Sequence, residues 1–178
     1  MIRTAWAPMW SYRIDYIETQ ISENVKKYPI VLESINYFIG LTENAIELSQ
    51  NIKSDIYICH KRFKYDYTEI DFYNPLNIVF DSRVRDVAEY FKDCFFNDIP
   101  IDNMVLTYIK QNNLTLEEKK LFLSRLLYPS YYFDEYDKLI NNENHKLNKI
   151  IEKIDGYERL LKLVYINLNI DVDIEWLM

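Results

Sequence analysis

Glycine is scarce in this chain of 178 residues: there are two, Gly40 and Gly156. A loop that cradles phosphate needs closely spaced glycines so that backbone amides can approach the ligand. The two here stand far apart, which excludes a P-loop, a kinase glycine-rich loop and a dinucleotide fingerprint. No Gly-x-Ser-x-Gly elbow can be built either. Histidine is as rare. His60 ends an apolar stretch and His145 lies in an Asn-rich segment where exposure to solvent is expected, so Ser–His–Asp catalysis has little to work with. Cys59 and Cys94 both sit in apolar patterns, where buried, reduced thiols are the expectation; no Cys/His spacing suits zinc. No run approaches the roughly 18 apolar residues that cross a bilayer. Met1-Ile2-Arg3-Thr4-Ala5-Trp6 has no signal-peptide core, so synthesis in the cytosol is expected. Basic charge is short as well. The formal net charge is −7, and pairs such as Lys61-Arg62 and Lys119-Lys120 are too brief to form a patch. A general nucleic-acid binder needs a basic face to displace counterions, so no nucleic-acid partner is expected.

What the chain has is apolar and aromatic bulk. Apolar residues make up 49% and aromatics 16%, enough for a folded domain with a real core. Periodicity predicts a first helix over 9–27, with Trp10, Ile14, Ile17, Ile21 and Val25 on one face and Pro29 breaking it. A second helix is expected over 32–52, with Gly40 inside it where another element would pack closely. Ile56 to His60 and Ile78 to Phe80 read as two short strands of a hairpin. The stretch from Tyr65 to Phe72 stays open between strand and loop. Helices are then expected from Asp81 or Ser82, from Asp102 and from Thr115, where Thr115-Leu116-Glu117-Glu118 is a capping box. Pro129 ends or bends that last one, and another helix runs from Tyr131 to about Ile140. A polar loop over 141–148 leads into one long final helix containing Gly156. Without repeats or a Gly/Ser/Pro-rich linker, residues 1–178 read as a single domain of α+β class, mostly α-helical, with a small central β-hairpin.

The order of motifs is specific. Ile58-Cys59-His60-Lys61-Arg62-Phe63 is a short strand running into a histidine. Val79-Phe80-Asp81 is a second strand ending in an aspartate. Arg85-Asp86-Val87-Ala88-Glu89-Tyr90 opens an amphipathic helix. This order resembles the catalytic segment in the carboxy-terminal lobe of the aminoglycoside/choline kinase branch of the protein-kinase-like fold. Tyr37-Phe38-Ile39-Gly40-Leu41-Thr42-Glu43 and Leu123-Ser124-Arg125-Leu126-Leu127-Tyr128-Pro129 add to it. Together these segments resemble the spore-coat group of kinase-like proteins, the YutH and CotS types. The resemblance covers the carboxy-terminal lobe; the amino-terminal, ATP-clamping lobe has no counterpart.

In active kinases of that superfamily the strand ends in His-x-Asp, whose Asp orients or deprotonates the accepting hydroxyl. Here Arg62 occupies that position, and a cation cannot act as a base. The resemblance therefore implies a degenerate site (His60, Arg62) and no catalytic residue. His60 reads as a structural histidine. Arg62 could bind an anion or pair with Asp81 or Asp86, the ion pair being favoured. Arg85 and Asp86 read as structural, Asp86 as a cap or salt-bridge partner that steadies the strand end. Asp81, or Asp71 in Ile70-Asp71-Phe72, are the metal candidates, each leaving fewer carboxylates than Mg-nucleotide normally needs. No cofactor is expected, and Mg-ATP enters only if the chain is part of a phosphotransferase. Tyr128, Tyr131, Tyr132 and Tyr136 read as packing residues, or as a surface for self-association. The functional expectation is a non-catalytic structural or interaction module of the spore coat or sporulation, partnered by other coat proteins. A phosphotransferase whose other lobe lies upstream and an unrelated helical adaptor are the alternatives.

Overall fold

The computed structural model describes residues 5–24 and 28–177, without the side chains of residues 23 and 24. Helix α1 (Trp6–Asn24) turns Trp6, Trp10, Ile14 and Ile17 into the core. It begins three residues before the expected Met9 because Trp6 is itself a core side chain. Pro8 lies in its first turn, where an absent N–H costs nothing. Val25 and the expected helix end near Lys27 lie outside the described residues. Pro29, expected as a breaker, opens α2 (Pro29–Ser49) from its first turn. Gly40 corrects the sequence reading: a methyl built there meets no atom of the described residues within 4 Å, so none of their elements packs against it. A glycine inside a helix with open space at Cβ carries only its entropic cost. Gly40→Ala is expected to stabilise the protein by about 0.5–1 kcal/mol, read as a higher urea midpoint; a lower one would mean that the helix surface there is occupied.

With so few glycines, asparagine and aspartate take the left-handed backbone positions. Asn51, Asp98, Asn113, Asn142 and Asn169 all have positive φ, between 39° and 62°. They follow α2, α4, α5, α7 and α9. These side chains tolerate the left-handed region better than other non-glycine residues do.

Strands β1 (Tyr57–His60) and β2 (Ile78–Asp81) form an antiparallel pair, with Tyr57 opposite Asp81, Ile58 opposite Phe80, Cys59 opposite Val79 and His60 opposite Ile78. Cys59 and Val79 are buried, whereas Ile58 and Phe80 are exposed. The ambiguous segment between the strands is a loop followed by a short helix, α3 (Glu69–Tyr73). A Thr68/Asp71 capping box starts α3, and a 3₁₀ turn over Pro75–Asn77 follows it.

The rest is helical: α4 (Val84–Phe96), α5 (Asp102–Gln111), α6 (Leu116–Leu127), α7 (Ser130–Ile140), α8 (Leu147–Glu152) and α9 (Ile154–Leu168). Thr115 and Glu118 cap α6 reciprocally, as their spacing predicts. Thr115→Ala removes the hydroxyl that accepts the Glu118 N–H and is expected to cost about 1 kcal/mol in urea unfolding; no change would mean that the Arg83–Glu118 pair holds the helix start alone. Helix α6 is the hub, packed against α2, α4 and α9, and every residue from Leu121 to Leu127 is buried. The single long final helix of the sequence reading is two, α8 and α9. They part at Lys153 (φ −95°, ψ 0°), whose ammonium is drawn to the Phe96 carbonyl and the Asp98 carboxylate. A fold that is mostly helical with one two-stranded sheet is what the pattern predicts.

The tyrosine cluster is core, as the packing reading of its sequence expects, and its buried members leave little for a self-association surface. Tyr128, Tyr132 and Tyr136 are buried. Tyr128 stacks on Trp10 at 4.4 Å and Tyr132 on Phe38 at 3.7 Å, while half-buried Tyr131 lies 3.8 Å from the Phe96 ring. Positions 132 and 136 are one turn apart on α7, so they share its inward face.

Candidate functional site

The motifs around His60, Asp81 and Asp86 meet at the end of β1 and the start of α4. Asp86, in the first turn of α4, reaches back to His60. One carboxylate oxygen accepts the His60 backbone N–H at 2.8 Å and the other lies 2.7 Å from Nδ1. His60 Nε2 faces the Phe72 carbonyl at 3.2 Å, and the rings of Phe63, Tyr67 and Phe72 surround the imidazole. His60 is 5% exposed, and both ring nitrogens already face oxygen atoms. Asp86 thus anchors the strand to the helix. Asp86→Ala leaves a buried donor unpaired and is expected to cost about 1–3 kcal/mol, checked by thermal and urea unfolding; an unchanged midpoint would remove that anchoring role.

Arg85 does related work one position earlier. Its guanidinium donates to the carbonyls of His60 and Lys61, both at 2.9 Å, and to the Asp81 carboxylate at 2.6 Å. Asp81 is fully buried. It accepts the Trp6 indole N–H at 3.0 Å from each oxygen, the Arg85 guanidinium, and the Ser82 backbone N–H at 2.8 Å. Both oxygens are therefore engaged by protein donors. Asp71 is half-buried and one of its oxygens accepts from the Thr68 backbone N–H and hydroxyl. Those bonds lower its carboxyl from the ordinary value. Among the described residues no three His, Cys, Asp or Glu side chains converge as a metal would need. This donor set does not fit the two well-placed ligands of a Mg-nucleotide.

Arg62 pairs with neither Asp81 nor Asp86, which corrects the expected ion pair. Its guanidinium lies 3.5 Å from Glu89 and 2.7 Å from Asp134. The reason is topological. Arg85 and His60 already occupy the two aspartates, and Arg62 lies beyond the strand end, over the next turn of α4. Burial pulls the Arg62 guanidinium down, but Glu89 and Asp134 hold it above its ordinary value. Position 62 therefore carries a fixed positive charge and offers no lone pair for a proton.

Beneath Arg62 lies a second set of buried charges. Glu89 accepts from Arg125 Nε at 2.7 Å and lies 2.9 Å from the Lys92 ammonium. Lys92 also donates to the Tyr128 carbonyl and to Ser130 Oγ. Arg125 lies over the faces of Trp6 and Trp10, 5.2 and 5.7 Å from their centroids, a favourable cation–π placement. Burial alone would raise the Glu89 carboxyl, yet Arg125, Lys92 and Arg62 bring it well below the ordinary value. Burial pushes Lys92 down to about 7 and Arg125 down to about 10, with Glu89 opposing both shifts. Three carboxylates (Asp81, Glu89, Asp134) thus pair with four cations (Arg62, Arg85, Lys92, Arg125) about α4, while Asp86 holds His60.

Trp6, Glu89, Lys92 and Arg125 were not singled out from the sequence. A signal was present for Arg125, a lone charge inside Leu121-Phe122-Leu123-Ser124-Arg125-Leu126-Leu127. A charge in such a run is buried and needs a partner. Arg85, Glu89 and Lys92 recur at helical spacing, so one partner on their face implies the others.

A family model described as "Spore coat putative kinase YutH" matches residues 2–164. The chain belongs to that family. It is 28% identical over 184 aligned residues to the endospore coat-associated protein YutH of Bacillus subtilis (strain 168), a match covering 88% of this chain and 54% of that protein. The chain therefore spans about half of that relative's length. It is also 25% identical over 132 residues, 74% of each chain, to an uncharacterized protein of Pyropia yezoensis, ORF148. No solved structure matches significantly. Within this YutH-family chain, no described helix is long and apolar enough to cross a membrane.

Proposed function

We propose that this chain is a non-catalytic, kinase-like interaction module associated with the bacterial spore coat. The observation that carries the non-catalytic half is Arg62. It stands two residues after His60, where the resemblance puts the catalytic base, and its guanidinium is held by Glu89 and Asp134. A base needs a lone pair, and position 62 offers a cation. Asp81 supports the same reading, because its carboxylate is spent on Trp6, Arg85 and Ser82. Family membership and the coat-associated YutH relative support the coat half. The test for that half is a fluorescent fusion followed through sporulation. A shell of signal around the developing spore is expected, retained on the released spore; diffuse signal lost at release would overturn it.

A phosphotransferase reading keeps one observation in its favour, that the chain spans 54% of the YutH relative. A further lobe would then bring the nucleotide-binding parts, and a carboxylate other than position 62 would have to serve as base.

A further inference from the structure

Glu89 is outnumbered. Three cations converge on it from three parts of the chain: Arg62 from beyond the end of β1, Lys92 from the next turn of α4, and Arg125 from α6. Glu89, Lys92 and Arg125 are 5%, 3% and 4% exposed, so water does little to screen them. One buried carboxylate cannot neutralise three positive charges. The second anion within reach, Asp134 on α7, stands nearer the surface and pairs with Arg62. An excess of positive charge in a dry site is relieved by giving up a proton. Only one of the three cations does this readily: a guanidinium keeps its proton at neutral pH, whereas a buried ammonium yields it.

The hydrogen bonds around Lys92 accommodate either state. Its ammonium faces three acceptors: the Glu89 carboxylate at 2.9 Å, the Tyr128 carbonyl at 3.2 Å and Ser130 Oγ at 3.0 Å. A carboxylate and a carbonyl only accept, so each needs an N–H from the lysine. The Ser130 hydroxyl can accept or donate. When the proton leaves, the amine keeps two N–H groups for Glu89 and Tyr128, and its new lone pair accepts the Ser130 O–H. No buried polar group is orphaned. The other titratable groups facing the cluster are Tyr128, Asp134, Asp93 on α4 and Tyr157 on α9. Burial raises both phenols, so they stay protonated and neutral.

We propose that Lys92 is a proton-operated latch: it releases its proton in the folded protein, and Arg62 then closes on Glu89. With Lys92 charged, Glu89 is divided among three cations, and Arg62 at 3.5 Å has the loosest contact. With Lys92 neutral, the carboxylate is left to the two arginines and draws Arg62 in. Arg62 has the most open side chain of the three, 41% exposed, so the state of a buried lysine is passed to the surface. Burial, helped by Arg125 and Arg62, brings the ammonium down to about 7 against the pull of Glu89. The folded value thus lies below the unfolded one. The unfolded chain binds the proton that the folded chain has lost, so stability rises with pH above the folded value.

Lysine Cε chemical shifts, followed against pH by NMR in the full chain labelled with carbon-13 lysine, read the proton directly. One resonance is expected to titrate with a midpoint between about pH 6 and about pH 8, and to be missing in Lys92→Met. If no lysine titrates below about pH 9, or if the neutral midpoint persists in Lys92→Met, the proposal is overturned. Arg62→Gln removes a neighbouring cation and is expected to raise the midpoint by at least about 0.5 pH units. An unmoved midpoint would detach the lysine from the surface arginine and defeat the latch. Urea unfolding gives a readout that needs no spectrum of the lysine. Between about pH 7 and about pH 8.5 the folding constant of the unaltered protein should rise, relative to that of Lys92→Met, by several-fold to about tenfold per pH unit. Parallel pH profiles for the two proteins would also overturn the proposal.

Discussion

Glu89→Leu is expected to cost about 3–5 kcal/mol, enough to bring the protein close to unfolding at room temperature. Glu89 is the anion toward which Arg125, Lys92 and Arg62 all turn. The loss is not shared equally among them. Lys92, already pushed down to about 7 by burial, can shed its proton once Glu89 is gone. Arg125, down to about 10, keeps its charge at neutral pH and is left buried against the Trp6 and Trp10 faces, with the Asp81 carboxylate its remaining favourable charge. Lys92→Met should therefore be much milder, under about 2 kcal/mol, since a methionine fills the same space without a charge. Urea unfolding of both variants decides the matter. If Lys92→Met were as damaging as Glu89→Leu, the lysine and not the arginine would be the critical cation.

The same carboxylate predicts an acid limb. The folded-state value of Glu89 lies below its ordinary 4.5. Its stabilisation is present above about that pH and is lost as the pH falls toward the folded value, because the unfolded chain then binds the proton first. Stability should drop as pH is lowered below about 4.5, and the Glu89→Leu variant should show a shallower slope there.

Asp81→Ala is the second large effect, also about 3–5 kcal/mol. It strands the Arg85 guanidinium, 2% exposed, and removes the acceptor of the Trp6 indole N–H. Since Arg85 also holds the carbonyls of His60 and Lys61, the end of β1 should loosen with it. Asp81→Asn should be intermediate, because an amide oxygen can still accept one of these bonds. The experiment also separates two roles for this residue. A structural Asp81 predicts a large fall in melting temperature on substitution and no rise when Mg²⁺ is added to the unaltered protein. A metal-holding Asp81 predicts that Mg²⁺ raises the melting temperature and that removing the carboxylate abolishes the rise.

Much of this architecture is legible in the residues, for reasons that are local. The Thr115/Glu118 capping box announces α6, and Pro129 divides α6 from α7. The two short apolar runs before His60 and Asp81 announce the strands. The His60-Lys61-Arg62 motif needs only three adjacent positions. What the sequence leaves hidden is relational. Arg62 meets Glu89 and Asp134 because α4 and α7 converge there, and no spacing along the chain encodes that meeting. The early start of α1 depends on the Trp6 indole reaching Asp81 across 75 positions. The break at Lys153 carries no glycine or proline to announce it; the pull comes from Phe96 and Asp98 in another part of the chain. Tyr132 and Tyr136 could be core or surface until the packing of α7 is known.

The central claim is that the site around His60 and Arg62 has lost phosphotransfer chemistry. Calorimetric titration of Mg-ATP into the purified 178-residue chain, repeated without Mg²⁺, tests it most directly. No heat of binding at millimolar nucleotide is the predicted result, with or without the metal. Micromolar, Mg²⁺-dependent binding abolished by Asp81→Asn would contradict it and bring the phosphotransferase reading forward.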